Sequence, residues 1–405
     1  MAKIRPFRAL RPEPSLASRI AAVPYDVVNA EEARTLAAGN ELSFLHVSRA
    51  EIDLPPGTDP YADIVYRTAA ERFTRIRRSM VEEAEPALYF YKLRMGGHQQ
   101  TGLAACYSVD EYEAGLVKKH EKTRRDKEDD RTRHIAELRA QTGPVFLTYA
   151  ASAAVDAVAE RVAKTKPLYD IVAPDGVAHT IWKVTGGDLH ALVEAFGKLP
   201  ALYIADGHHR AASAARTRAA VPREVGRDGV VEADWFLAVA FPDNQTQVLP
   251  YNRIVKDLAG LTPEAFMREV RGVFPVREGG PAAPSKRGEC AMYLGGAWYS
   301  LDIGPKAGAD VISRLDVSIL QDHLLAPVLK IADVRTDKRI DFVGGIRGTG
   351  ELERLVDGGK AAVAFSMFPV SVGDLMGIAD EGEIMPPKST WFEPKLRDAF
   401  LIHTI

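Results

Sequence analysis

Cysteine is scarce in this sequence of 405 residues, which contains only Cys106 and Cys290. Two cysteines are too few for a disulfide framework or for a zinc site with four cysteine ligands, and this usage fits a reducing compartment. We therefore expect a cytoplasmic protein without structural disulfides.

Long apolar runs are also missing. The longest candidates, such as residues 236–241, have the length of a strand and fall far short of the roughly 20 residues that span a bilayer. Residues 1–14 alternate basic and apolar side chains and lack the apolar region of a secretory signal. The sequence therefore predicts no membrane partner.

An excess of charge of one sign is absent as well, because the formal net charge is −3. No global field would gather nucleic acid, so any anion site must be local, and we expect no nucleic-acid partner. With 46% hydrophobic and 26% charged residues, the composition is typical of a folded globular protein. The chain is long enough for two or three packed lobes.

Several common catalytic motifs do not occur: the P-loop, the G-x-S-x-G elbow, the H-E-x-x-H zinc motif and the protein-kinase catalytic loop. Residues 344–350, Gly-Gly-Ile-Arg-Gly-Thr-Gly, resemble a phosphate-cradling loop, but their spacing matches neither the P-loop nor G-x-G-x-x-G. The common hydrolase classes are therefore unsupported.

Alternating strand and helix patterns predict a mixed α/β fold. Apolar residues recur with a period near 3.6 between about residues 60 and 83, which predicts a helix with one buried face. Residues 87–93 and 101–109 flank Gly96-Gly97 and predict a strand pair. Further strands are predicted at 145–150, 201–205, 236–241, 290–294, 298–303 and 361–368, with a strand pair at 171–184. Further helices are predicted at 155–163, 188–196, 211–220, 263–274 and 372–379, and a helix interrupted by Pro327 is predicted at 316–331.

The most informative segment is residues 206–210, which read Asp-Gly-His-His-Arg. The apolar run 201–205 leads directly into it and the alanine-rich run 211–220 follows, so we predict a strand, a tight turn and a helix. At the start of a helix several main-chain N–H groups lack partners and the positive end of the dipole faces outward, which suits a phosphate. Gly207 permits close approach of the backbone, and Arg210 offers a bidentate fork to phosphate oxygens.

The other side chains of this segment extend the hypothesis. His208 and His209 can donate hydrogen bonds to a phosphate, and Asp206 could hold Mg²⁺ or accept the proton of an attacking hydroxyl. The alternative is that Asp206 caps the helix while the histidines fill polar interior. Five polar or flexible residues between an apolar strand and an alanine-rich helix are poor choices for stability alone, which favours the functional interpretation.

Two further segments are candidates for nucleotide contacts. Residues 118–134 contain no apolar side chain, which is typical of an exposed helix, yet Lys127, Arg131 and His134 share one helical face and could reach phosphates. Near the C-terminus, Lys388-Ser389-Thr390 lies between prolines and aromatic residues. A rigid closing tail is the alternative interpretation of that second segment.

Several segments together resemble the DUF1015 family over nearly the whole chain: Val23-Pro24-Tyr25-Asp26, His120-Glu121-Lys122-Thr123, Tyr203 to Arg210, Ala364 to Phe368 and Met385 to Pro394. Asp-Gly-His-His-Arg is similar to the motif of free-serine kinases in the ParB/sulfiredoxin superfamily. The resemblance implies a ParB/sulfiredoxin-like nucleotide-binding core with additional α/β segments. It further implies a kinase that phosphorylates free L-serine or a similar hydroxyl compound, with ATP or ADP as donor and Mg²⁺.

The same resemblance limits the reactions that are expected and indicates the catalytic residues. The comparable turn of sulfiredoxins reads Gly-Cys-His-Arg, and His208 stands where the reactive cysteine would be, so sulfinic-acid repair is not expected. The archaeal serine kinases use a glutamate upstream of the motif as catalytic base, for which Glu121 and Glu194 are the candidates. We therefore assign catalytic roles to Asp206, His208 and Glu121 and metal binding to Asp206. The nucleotide contacts are assigned to Gly207, His209, Arg210, Lys127, Arg131, His134, Lys388, Ser389 and Thr390.

Three segments follow from this assignment: residues 1–165, a nucleotide-binding core at 166–260, and residues 261–405. The alternative function is a nucleotide-gated regulatory protein that uses the same pocket without turnover. The sequence does not separate these two functions, and it predicts no oligomeric state.

Overall fold

The computed structural model describes residues 2–226, 228–304 and 310–405. The chain divides into two compact units, one of Met1–Thr246 with Pro394–Ile405 and one of Gln247–Glu393. Within the described residues, the helices are too short or too polar to cross a membrane.

The strands of the first unit that precede the second unit in the chain are β1 (Ile4–Arg5), β2 (Leu10–Pro12), β3 (Met80–Glu82), β4 (Leu88–Met95), β5 (His98–Ser108), β6 (Val117–Lys118), β7 (Ala140–Gln141), β8 (Val145–Tyr149), β9 (Tyr169–Val172), β10 (Ala178–Val184), β11 (Leu202–Asp206) and β12 (Trp235–Pro242). Nine of them form one sheet with the order β6-β11-β8-β12-β5-β4-β10-β9, in which β1 pairs with β5 outside this path. Two small ladders complete the unit: β2 pairs with β3, and β7 pairs with a strand that follows the second unit, His403–Thr404.

The helices of the first unit are α1 (Ala17–Ile20), α2 (Ala30–Ala37), α3 (Leu45–Ser48), α4 (Asp63–Arg77), α5 (Val109–Glu113), α6 (Arg125–Leu138), α7 (Ala153–Val162), α8 (Gly186–Phe196) and α9 (His208–Ala220). Short 3₁₀ turns occupy Ala50–Asp53, Glu232–Asp234 and Asp243–Gln245. One apolar core joins the centre of the sheet to α7, α8 and α9. A second core gathers α2, α3 and α4 with the end of α6.

The strands of the second unit are β13 (Val248–Leu249), β14 (Tyr251–Val255), β15 (Val276–Glu278), β16 (Glu289–Leu294), β17 (Ala297–Asp302), β18 (Ile340–Gly344), β19 (Val363–Met367) and β20 (Trp391–Phe392), and β21 is the strand His403–Thr404 of the first unit. Six of them form an antiparallel sheet with the order β15-β17-β16-β19-β14-β18. Its helices are α10 (Pro263–Val273), α11 (Asp316–Leu320), α12 (Gly350–Asp357) and α13 (Val372–Asp380), with a π-helical turn at Gln321–Leu325 and a 3₁₀ turn at Gly345–Arg347.

The mixed α/β class that the sequence predicts is confirmed. The hairpin expected across Gly96-Gly97 is β4–β5, in which Met95 pairs with His98. The long helix expected at 60–83 is shorter, because α4 ends at Arg77 and the chain turns into β3. The helix expected at 316–331 is also shorter, since α11 passes into a π-helical turn that ends two residues before Pro327.

Helix α6 departs from the expectation of an exposed charged helix. Asp130 and His134 are buried although the segment contains no apolar residue before Ile135. Their polar groups have partners: the Tyr66 hydroxyl donates to Asp130 Oδ1 over 2.7 Å, and His134 Nε2 lies 3.0 Å from the Val47 carbonyl oxygen. Hydrogen bonds therefore replace apolar contacts on the inner face of this helix.

The two compact units follow different bounds from the three predicted segments. Strands β4, β5 and β8 of the predicted first segment pair in one sheet with β10, β11 and β12 of the predicted core. A core limited to residues 166–260 would therefore lack the central strands of its own sheet. Residues 394–405 return to the first unit, because β21 pairs with β7.

Candidate functional site

The predicted strand, tight turn and helix are present as β11, Gly207 and α9. Gly207 has a φ of 91°, which only glycine adopts without strain, and its N–H donates to Asp206 Oδ1 over 2.9 Å. Among the described residues no side chain caps the start of α9. The first N–H groups of this helix are therefore open to an anion.

Arg210 folds back over the turn. A Cβ atom at Gly207 would lie 3.0 Å from Arg210 Nε, so the glycine makes room for the guanidinium group. Arg210 Nη1 donates to the Pro144 carbonyl oxygen, and Nη2 lies 3.7 Å from Asp26 Oδ2 and 3.6 Å from Asp206 Oδ2. The residue is 8% exposed, and its Nε makes no hydrogen bond to any described residue. One buried donor of Arg210 thus remains available.

Asp206 lies between two cations. Lys395 Nζ donates to Asp206 Oδ2 over 3.2 Å, and Arg210 faces the same oxygen. Burial favours the protonated carboxyl, but Lys395 and then Arg210 outweigh it and hold the pKa of Asp206 well below its usual range. The group therefore stays ionised and is a weak proton acceptor.

His208, the first residue of α9, faces the loop after β6. Its Nε2 accepts the main-chain N–H of His120 at 3.4 Å, its Nδ1 lies 3.8 Å from Glu121 Oε2, and the His120 and His208 rings are 4.4 Å apart at their centroids. Burial is the largest cause that lowers the pKa of both histidines, to about 4 for His120 and well below the usual value for His208. Both imidazoles are therefore neutral at pH 7.

His209 is half-buried and bonded to the chain before α6. Its Nε2 accepts the main-chain N–H of Arg124 over 3.0 Å, so the proton of the neutral ring lies on Nδ1. Burial lowers the pKa of His209, followed by an opposing effect of Asp26. His209 can therefore donate to an anion without carrying a charge of its own.

The three predicted residues of α6 line one small cavity of about 50 Å³ together with Tyr25. Lys127 Nζ donates to the Tyr61 hydroxyl over 2.8 Å. Arg131 stacks 4.2 Å over the Tyr25 ring, and its Nε donates to the neighbouring carboxylate of α6 over 2.8 Å. Burial, followed by the charge of Arg131, lowers the pKa of His134 to about 4, so this histidine is neutral.

A second cavity of about 40 Å³ adjoins the first and shares Tyr25, Arg131 and His134 with it. Arg210 and Asp398 also line this second cavity. Burial raises the pKa of Asp398 to about 7, against the opposing effect of Arg210. The cavity therefore connects the residues of α6 with the arginine of the turn.

The remaining predicted residues lie elsewhere. Lys388, Ser389 and Thr390 belong to the second unit, where Ser389 Oγ donates to the Pro386 carbonyl oxygen over 2.6 Å. Glu194, the other candidate base, is exposed on α8 and accepts a hydrogen bond from Lys198 over 2.7 Å. Glu121 is the candidate that the structure brings to the turn, because it lies beside His208.

Four residues of this region were not assigned from the sequence: Asp26, His120, Lys395 and Asp398. Lys395 lies 189 positions from Asp206, and no local pattern signals such a contact. Asp26 and His120 do belong to segments that the family resemblance singles out, Val-Pro-Tyr-Asp and His-Glu-Lys-Thr. Those two motifs were the sequence signals from which Asp26 and His120 could have been assigned to the site.

A family model described as "Protein of unknown function (DUF1015)" matches residues 4–318. Among curated proteins no sequence matches the chain. A solved structure of a free serine kinase mutant in complex with ADP shares 14% identity at a TM-score of 0.36, covering 73% of this chain and 92% of that one. SbnI with a C-terminal truncation from Staphylococcus aureus shares 12% identity at a TM-score of 0.37, covering 72% and 84%. A conserved hypothetical protein from Pyrococcus furiosus shares 15% identity at 0.34, covering 73% and 93%.

Proposed function

The chain belongs to the DUF1015 family, and we propose that it is a small-molecule kinase that transfers phosphate from ATP or ADP to the hydroxyl of free L-serine. The observation that carries this proposal is the turn at Gly207, where open N–H groups and the buried, unpaired Nε of Arg210 converge. This combination of helix start and guanidinium group suits the phosphates of a nucleotide.

The donor phosphates are assigned to the start of α9. Gly207 lets the backbone approach a phosphate closely, Arg210 Nε offers a buried donor, and His209 offers its Nδ1 proton. Transfer of a phosphoryl group depends mostly on positioning and on neutralisation of charge, so fixed donors of this kind supply much of the catalysis. In this proposal Arg131 and Lys127 supply two further cationic groups on α6.

The two carboxylates near the turn receive different roles. Asp206 is ionised and ion-paired, which makes it a poor base but a suitable oxygen ligand for Mg²⁺. Its oxygens each have one hydrogen-bond donor, and a carboxylate retains further acceptor positions. Mg²⁺ bound there would neutralise charge on the donor phosphates. Glu121, whose side chain is 53% exposed, is proposed to take the proton of the serine hydroxyl.

His208 is proposed to position Glu121 rather than to contact phosphate as a cation. Its ring is neutral and its Nε2 already accepts the His120 N–H, so the ring proton lies on Nδ1, toward Glu121. Lys388, Ser389 and Thr390 remain a prediction as further nucleotide contacts.

A product assay tests the function. The purified protein is incubated with Mg²⁺, L-serine and either ATP or ADP, and O-phospho-L-serine is measured by mass spectrometry. L-Alanine, which lacks only the hydroxyl, is the matched control and should yield no phosphorylated product. Binding of nucleotide without any product from L-serine would contradict the kinase and support the regulatory alternative.

A further inference from the structure

Three side chains beside the turn form a cluster whose chemistry the proposed kinase does not require in full. One ligating atom from each of His120, Glu121 and His208 lies within 4.8 Å of the other two. The histidines are buried, at 2% and 4% exposed, whereas the Glu121 side chain is half exposed. Two imidazoles and one carboxylate are a common ligand set for a metal ion.

His120 gives the independent reason to expect a ligand. Neither of its ring nitrogens makes a hydrogen bond of ordinary geometry to the described residues, although the main chain of Ile204 lies close to the ring. A buried polar atom without a partner destabilises the fold, so such an atom calls for a bound species. A cation that accepts the lone pair of His120 would remove this cost.

The distances fit a small ion after a modest adjustment. An ion about 2.0–2.2 Å from each ligand places ligand atoms roughly 3.3–3.6 Å apart in tetrahedral geometry. His208 Nδ1 and Glu121 Oε2 are already 3.8 Å apart. The exposed side chain of Glu121 can supply part of the further approach that the cluster needs. Ligation through Oε2 leaves the other carboxylate oxygen for the acceptor proton.

A contact of His208 must change when the ion binds. His208 Nε2 accepts the main-chain N–H of His120 at 3.4 Å, so the ring proton lies on Nδ1 in the free protein. Ligation through Nδ1 moves this proton to Nε2, and a small rotation of the ring then opens the contact. At 3.4 Å the hydrogen bond is long and therefore weak, so its loss opposes binding only modestly.

The ligand atoms also select the kind of ion. Imidazole nitrogen suits Zn²⁺ and neighbouring first-row ions, whereas Mg²⁺ prefers oxygen ligands throughout. Three protein ligands leave at least one coordination position for water or another ligand. We propose that His120, Glu121 and His208 form a binding site for a first-row divalent transition ion such as Zn²⁺, separate from the Mg²⁺ assigned to Asp206.

Metal titration tests the site without reference to kinase activity. The full-length protein is treated with EDTA, dialysed and titrated by calorimetry with Zn²⁺, and its ligand-field absorption is recorded with Co²⁺. We expect one tight Zn²⁺ site and a Co²⁺ spectrum of low symmetry. His120→Asn, Glu121→Gln and His208→Asn should each weaken Zn²⁺ binding by roughly 10²-fold or more.

His190→Asn is the matched control, because His190 is exposed on α8 and its loss should leave the affinity unchanged. Circular dichroism verifies that each variant is folded, and the conservative Glu121→Gln change keeps the test valid if a histidine variant unfolds. Equal Zn²⁺ affinity in wild type and in Glu121→Gln would overturn the site. Nucleotide binding measured in the EDTA-treated protein reports on the proposed kinase separately.

Discussion

At the scale of single residues, Arg210 has the most specific geometry of the site. Its charge is compensated by Asp206 and Asp26, while its Nε remains without a partner among the described residues. Arg210→Lys keeps a positive charge but removes Nε and the planar fork, which matter for phosphate. We expect at least a tenfold loss of nucleotide affinity with a small change in fold.

Thermal or urea unfolding measures that loss. A ligand at a hundred times its Kd adds about 2.7 kcal/mol to the free energy of unfolding, and a tenfold weaker Kd reduces this to about 1.4 kcal/mol at the same concentration. Arg11→Lys is the control, because Arg11 is similarly buried in an ion pair with Glu83. If Arg210→Lys retained the full nucleotide-induced stabilisation, Arg210 would not be a phosphate ligand.

Asp206 gives a second prediction at this scale. Asp206→Asn keeps the size of the side chain and an oxygen that can accept the Gly207 N–H, so the fold should survive. Loss of the charge removes the proposed Mg²⁺ ligand, and we expect kcat for phosphoserine formation to fall by roughly 10² or more, the scale of one lost catalytic contact. Steady-state kinetics on a folded variant check this.

The Mg²⁺ dependence of kcat in Glu121→Gln provides the comparison for Asp206→Asn. If Glu121 is the base, its variant should lose kcat at every Mg²⁺ concentration, because added metal does not replace a proton acceptor. The Asp206→Asn variant should partly recover at high Mg²⁺. Full activity of folded Asp206→Asn would remove the catalytic role of this residue.

Asp398 makes stability depend on pH. Its folded-state pKa is raised from 3.8 to about 7, chiefly by burial, so folding favours the protonated carboxyl. The stabilisation is complete below pH 3.8 and is lost as the pH rises through about 7. Relative to Asp398→Asn, the wild type should therefore lose up to about 1.4 kcal/mol of unfolding free energy per pH unit in this range.

Urea unfolding at pH 5, 6, 7 and 8 measures the difference between the two proteins. Asp130→Asn is the control, because Asp130 is also buried but its pKa is lowered, so the difference in unfolding free energy between wild type and Asp130→Asn should stay constant from pH 5 to 8. If the unfolding free energies of wild type and Asp398→Asn differed by the same amount at all four pH values, Asp398 would be ionised over the whole range.

At the scale of secondary-structure elements, the junction of β11 and α9 depends on Gly207. Alanine there would adopt a φ of 91° and place its Cβ 3.0 Å from Arg210 Nε. We expect a loss of about 1–3 kcal/mol of stability from the backbone strain. We also expect weaker nucleotide binding, because Arg210 must move and a methyl group narrows the approach to the N–H groups.

Gly176→Ala separates these two effects. Gly176 has a similar φ of 81°, but a Cβ there meets no atom within 4 Å. The Gly176→Ala variant should lose a comparable amount of stability, while its nucleotide affinity, measured by calorimetry, should stay at the wild-type value. Equal affinity in both variants would contradict the close approach proposed at Gly207.

The same elements explain what the sequence could predict. The strand, turn and helix around Gly207 follow from local propensity and from residues adjacent in the chain, so they were predicted closely. The shared face of Lys127, Arg131 and His134 follows from helical periodicity, and all three line one cavity. Burial of α6 was missed because its inner face uses hydrogen-bonded polar groups in place of apolar side chains.

Long-range contacts set the limit of that prediction. Lys395 and Asp398 belong to the first unit although they follow the second unit in the chain, and they lie outside the segments from which the site was predicted. Their effects on the pKa values of the site arise only after the chain folds. Local sequence patterns carry no information about such contacts.

At the scale of the whole molecule, residues 394–405 are part of the first unit although they follow the second in the chain. They supply β21, the Lys395 partner of Asp206 and the buried side chains Leu396, Ala399, Phe400, Leu401 and Ile402. A chain that stops at Glu393 should lose nucleotide binding and the packing of the first unit, because this apolar surface and these ion pairs disappear together.

Hydrogen exchange measures that outcome strand by strand. In the shortened chain, amides of β8 and β11 should exchange faster, whereas β16 and β19 of the second unit should keep their protection. A chain that ends at Thr404 is the control and should match the wild type. Retained nucleotide binding together with protected β11 amides would show that residues 394–405 are dispensable.

The return of residues 394–405 also affects how the protein forms on the ribosome. The strand partner of β7 is translated only after residues 247–393, a delay on the order of 10 s at ordinary rates of synthesis. During this interval the first unit exposes apolar surface that Phe400 and its neighbours later cover. The nascent chain should therefore depend on chaperones more than a variant circularly permuted to place this segment ahead of β1.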